Sequence, residues 1–117
     1  MNSKVKEQWL KALRSGEYKQ GAGCLKNNDE FCCLGVLSDI YAKEKNLKWN
    51  DEFYDRGIDD GFIYGRSAIP SNFVCKWAEL KEPNPVVYLD GCIDSVARMN
   101  DEGYTFEQIA DVIEKEL

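Results

Sequence analysis

Histidine is absent from this chain. With it goes the usual general base, and no Ser–His or Cys–His nucleophile pair can be built. Neither a Walker loop nor a CxxC pair is present, so a zinc site would need thiolates gathered from distant segments. Positive charge is in deficit: 15 Lys and Arg stand against 21 Asp and Glu, a formal net charge of −6. A nucleic-acid binder needs a basic footprint to neutralise phosphates, so this balance argues against nucleic acid and against an anionic membrane. No apolar run approaches the roughly 20 residues of a membrane span. The opening stretch MNSKVKEQWLKAL is charged and amphipathic, without a secretory core, so the expected setting is cytoplasmic.

What is there suits one folded domain of 117 residues, 44% apolar and 12% aromatic. The five cysteines, Cys24, Cys32, Cys33, Cys75 and Cys92, are odd in number, and two are adjacent. Neighbours on a helix point about 100° apart, so Cys32 and Cys33 cannot readily bridge or share a metal. Reduced thiols used as small buried hydrophobes fit better than a disulfide framework.

The chain is organised around Tyr18–Tyr41, YKQGAGCLKNNDEFCCLGVLSDIY. Its first part, 18–25, reads as an extended run with bare backbone at Gly21 and Gly23. A bulge, close packing of a helix or a ligand against the backbone could each require that, close packing being the commonest. Lys26-Asn27-Asn28-Asp29 reads as a turn. Phe31, Leu34, Leu37 and Tyr41 then fall at helical spacing, widened by Cys33, Val36 and Ile40. Such a broad stripe predicts a central helix over 30–44, capped by Asn28 or Asp29. Gly35 inside it costs about 1 kcal/mol relative to alanine, which predicts that another backbone, the glycine-bare run, crosses there.

Around this centre, further helices are expected at 3–15, 70–80, 92–101 and 105–116. Ser3 is placed to cap the first, Pro70 to open the second, and Thr105 with Gln108 to form a capping box on the last. A small, mainly antiparallel sheet is expected from 18–25, 62–64 and 86–89. The fold class is therefore α+β, about five short helices around a small sheet. Asp51, Glu52, Asp55, Asp59 and Asp60 form a loose acidic cluster whose spacing matches no EF-hand loop.

The segments ALRSGEYKQGAGCL, DEFCCLGVLSDIY, IPSNFVCKW and ARMNDEGYTFEQIADVIEKEL together resemble a family of small proteins from tailed-phage and prophage genomes. The resemblance covers most of the chain and is weakest over 43–67. It implies a phage origin and the cytoplasm of an infected bacterium, and assigns no activity and no site. Proteins of that size and setting are often binders that block a host protein or sequester a small signalling molecule, an analogy of setting alone.

Three functions compete. The first is a non-catalytic accessory binding protein, active in evading host defence, whose partner is a host protein or a small anionic, nucleotide-like ligand. The second is an enzyme using Cys32 or Cys33, or the carboxylates Asp29, Glu30 and Asp39, on a nucleotide or sugar. The third is a helix-turn-helix DNA binder over 95–117, weakened by the outward acids Glu107, Asp111, Glu114 and Glu116. The first is preferred. No catalytic residue, metal or cofactor is assigned, and self-association is left open. The surface least explained by folding is Tyr18, Gln20, Gly21, Gly23 and Arg66. There, bare amides and a cation suit an anion, with Tyr18 stacking on a base and Lys19 as a second source of charge.

Overall fold

The computed structural model describes residues 1–50 and 62–117. The acidic cluster Asp51–Asp60 lies outside the described residues. Among those described, helices α1 (Ser3–Arg14), α2 (Cys33–Lys45), α3 (Asn72–Ala78), α4 (Val96–Asp101) and α5 (Phe106–Glu116) alternate with short strands. The strands are β1 (Lys19–Gln20), β2 (Lys26–Asn27), β3 (Glu30–Phe31), β4 (Lys48–Asn50), β5 (Phe62–Tyr64), β6 (Val86–Leu89) and β7 (Cys92–Ser95). The architecture is α+β, as the patterning predicts. No helix among the described residues is long and apolar enough to cross a membrane.

Helix α2 is the centre. Every residue from Cys33 to Asp39 is buried, and the helix packs on α1, α3, α4 and β3. Trp9 of α1 is fully buried, and its indole Nε1 donates to the Cys33 carbonyl at 2.9 Å. Helix α5 lays Phe106, Ile109, Ala110 and Ile113 against α1. Its capping box forms as the T-x-x-Q spacing predicts, Thr105 and Gln108 each receiving the other's backbone N–H.

The crossing at Gly35 is real and close. A Cβ built there would lie 1.8 Å from the carbonyl oxygen of Leu25. The crossing residue is the last of the predicted run, not either of its glycines.

Several boundaries differ from the sequence reading. The run 18–25 is not one strand. Gly23 takes φ +85°, a left-handed turn that favours glycine, and separates β1 from β2. The single expected sheet is three: β1-β3-β2, β4-β5 and β6-β7. The pairs β1/β3 and β4/β5 are parallel, and β2/β3 and β6/β7 antiparallel.

Helix α2 starts at Cys33, not residue 30, because Glu30 and Phe31 are claimed by strand pairing on both sides. Its cap is the Cys32 sulfur, which accepts from Gly35 N at 3.3 Å, so neither Asn28 nor Asp29 caps it. Asn2, not Ser3, caps α1, and Ser71 caps α3 one residue after Pro70. The fourth helix begins at Val96, since Cys92–Ser95 pairs with β6.

Candidate functional site

Four of the five predicted site residues share one region, and the fold uses all four. Gln20 projects from β1 to the α4–α5 junction. Its Nε2 donates to Asn100 Oδ1 at 3.0 Å and to the Tyr104 carbonyl at 2.7 Å. Its Oε1 accepts from Phe106 N at 3.2 Å. Asn100 is the hub opposite, only 3% exposed. It accepts from Cys33 N at 3.1 Å and donates to the Gly21 carbonyl at 2.7 Å. Gly21 N donates to the Phe31 carbonyl at 2.7 Å, and Gly23 N donates to Asp101 Oδ1 at 3.0 Å. The bare amides of the run are therefore already engaged. At Gly21 a Cβ would come 2.8 Å from Glu30 Cβ, so close packing explains that glycine.

Tyr18 is similarly committed. Its hydroxyl donates to Asp39 Oδ2 at 2.5 Å, while Asp39 also accepts from Trp49 Nε1 at 2.9 Å and pairs with Lys43 at 3.1 Å. The ring stands edge-on to Phe31 at 5.1 Å, with Lys43 Nζ 5.5 Å from its centroid. Burial, then the hydrogen bond and charge of Asp39, push the Tyr18 hydroxyl up to about 12, against the opposing pull of Lys43. Lys19 pairs with Glu30 at 3.8 Å.

Cys32 and Cys33 are inside, as expected of buried thiols, whereas Cys24 and Cys75 are half-buried and Cys92 is exposed. Burial pushes Cys32 up to about 11 and Cys33 well above its ordinary range, although backbone N–H groups favour each thiolate. The position of Cys32 at a helix start does not offset its desolvation, so neither thiol is an activated nucleophile at neutral pH. Of the carboxylates weighed for catalysis, Asp39 is an internal acceptor and Glu30 packs on Gly21 and Lys19. The acids of α5 project as expected, but Asp111 and Glu114 are bound by Arg14 of α1.

Arg66 lies elsewhere. Leu25 N donates to the Ser67 carbonyl at 2.8 Å and Lys26 N to the Gly65 carbonyl at 2.9 Å. These bonds dock the Gly65–Ser67 turn onto β2, with Arg66 between the anchors. A Cβ at Gly65 would come 2.7 Å from the Lys26 carbonyl oxygen, so the approach needs glycine. Beside the junction opens a cleft of about 360 Å³ lined by Cys24, Lys26, Asn27, Asn28 and Arg66. Lys26 Nζ is steadied by the Asn28 carbonyl and lies 5.8 Å from the Phe31 ring centroid. The sequence reading singled out Arg66 but took 26–29 only as a turn. The pairing across Gly65 is long-range and leaves no local signal.

A second surface was not anticipated. The β6–β7 hairpin turns at Asp90 (φ 51°) and Gly91 (φ 80°). Tyr88 stands opposite Ile93 in the ladder, and these two are 65% and 66% exposed, with Val86 beside them at 46%. On the other face Val87 is buried. The period-2 alternation of VVYL is in the sequence, but which face meets α5 is set by packing.

These features define a small α+β domain with a cationic cleft and a projecting apolar hairpin, Cys32 and Cys33 locked in its core. The chain belongs to the family described as Domain of unknown function (DUF8296), whose model matches residues 1–117. No curated protein and no solved structure matches it.

Proposed function

We propose that this chain is a non-catalytic binding protein whose hairpin docks on another protein. In the setting its motifs imply, it is a phage accessory protein acting in the host cytoplasm on a host protein, as a counter to host defence. The observation that carries this reading is the exposed cluster Val86, Tyr88 and Ile93 on one face of β6–β7. Three large apolar side chains side by side lose free energy in water unless something covers them.

The rim indicates the chemistry of the cover. Glu82 and Glu116 hold carboxylates on the β6 edge, accepting from Val86 N and Tyr88 N at 2.9 Å each, and Asp90 sits in the turn. With a net charge of −6, this surface suits an apolar pocket rimmed by Lys and Arg. Tyr88 has the character of an anchor: large, amphipathic and rigid.

The test is native mass spectrometry of protein purified from infected cells, with wild type beside Tyr88→Ser and Ile93→Lys. Wild type should emerge in a stoichiometric complex with a basic protein, weakened by salt. Both variants should emerge alone with unchanged melting temperatures. A complex that survives both substitutions, or wild type that emerges alone, overturns the docking surface.

A further inference from the structure

We infer a second site, independent of the hairpin: the cleft between Arg66 and the Lys26–Asn28 turn binds a small phosphate-bearing anion. Lys26 and Arg66 bring two cations to one concavity in a chain with a surplus of acids. Among the described residues no carboxylate is in the lining, and Arg66 makes no ion pair. Two cations on one small concavity repel each other, whereas a dianion between them relieves that cost.

The geometry is held in advance. Two backbone hydrogen bonds fix the Arg66 turn against β2, and the Lys26 ammonium is tethered by the Asn28 carbonyl. Only side-chain rotamers remain to be ordered on binding, which lowers its entropic cost. Arg66 supplies a planar fork that matches two phosphate oxygens, and Lys26 a compact point charge.

The rest of the lining selects what the phosphate carries. Asn27 and Asn28 bring carboxamides that both donate and accept, a match for hydroxyl groups. Among the described residues no aromatic ring lines the cleft. A nucleobase therefore gains no stacking there, and recognition rests on the phosphate and its sugar. The volume, about 360 Å³, is at the small end of ligand pockets and suits a phosphosugar or a diphosphate. The ligand class is thus a phosphate ester or diphosphate read without its base.

The experiment is calorimetric titration at low salt with inorganic pyrophosphate, ribose 5-phosphate and ADP. Proteins are wild type, Arg66→Ala, Lys26→Ala and the hairpin variant Ile93→Lys. Wild type and Ile93→Lys should bind all three alike, ADP gaining no more than about threefold over ribose 5-phosphate, since stacking would add at least that. Each cleft variant should lose at least about tenfold, the worth of one charge-assisted hydrogen bond. Amide chemical-shift changes in wild type should centre on residues 24–28 and 65–67. No heat and no shift changes at about 10 mM ligand, far above ordinary metabolite affinities, would overturn the site. So would equal binding by wild type and Arg66→Ala, or shift changes centred elsewhere. A marked preference for ADP would overturn the ligand class alone. Loss of binding in Ile93→Lys would join the cleft to the hairpin and refute their independence.

Discussion

At the residue scale, Gly35 shows how a local penalty exposes a tertiary fact. A helix-interior glycine costs about 1 kcal/mol, and the structure explains it by the Leu25 carbonyl, 1.8 Å from where a Cβ would stand. That obstacle is backbone, tied to Cys32 N at 3.2 Å, and cannot swing aside like a side chain. Gly35→Ala should therefore destabilise by about 1–3 kcal/mol despite its better propensity. Chemical denaturation measures it, and a gain in stability would mean that the crossing is loose. Tyr18 gives a pH-dependent counterpart. Its hydroxyl is held up at about 12 in the folded chain against an ordinary value of 10. A raised folded pKa contributes stability that is whole below pH 10 and is lost as pH rises through 12. The advantage of wild type over Tyr18→Phe should accordingly shrink across that window, read from denaturation curves at stepped pH. A constant difference from pH 9 to 12 would show that burial and the Asp39 hydrogen bond together do not hold the proton.

At the scale of elements, short strands and short helices are joined by side chains more than by ladders. Asn100, at the end of α4, reaches β1 through Gln20, the next turn of chain through Gly21, and the start of α2 through Cys33 N. Truncating it takes the partner from Cys33 N and from the Gly21 carbonyl, and leaves Gln20 Nε2 with the Tyr104 carbonyl alone. Asn100→Ala should cost at least about 2 kcal/mol, and Asn100→Asp nearly as much, since the carboxylate cannot donate to the Gly21 carbonyl. A thermal melt of each, with wild type, checks this; near-neutral values would mean that water replaces the hub. The element starts repeat the point. Helix α5 caps itself with neighbours in sequence, Thr105 and Gln108, and was readable. Helix α2 is capped by a cysteine sulfur, because strand pairing on both sides claims the residues that looked like its first turn.

At the scale of the whole molecule, charge and burial separate the surfaces from the core. Four of the five residues first proposed as a site, Tyr18, Gln20, Gly21 and Gly23, looked functional because bare backbone and an amide beside a ring could hold an anion. In the fold their donors and acceptors are met from α4, α5 and α2, segments far away in sequence. Arg66 stayed unexplained by folding, and its neighbours Lys26, Asn27 and Asn28 come from a turn 40 residues away. The hairpin face was present in VVYL as alternation, but alternation does not say which face is covered. The sequence by itself determined the α+β class, the central helix, the amphipathic α1 and α5, the close crossing at Gly35 and the α5 cap. Each rests on periodicity, on contacts within one turn of chain or, at Gly35, on a local propensity penalty, all of which amino-acid order encodes directly. Only the tertiary structure decided the split into three sheets, the consumption of the glycine run, the cleft at Arg66 and the exposed side of the hairpin. Those depend on which distant groups satisfy each other once the core closes, and no local spacing carries that information.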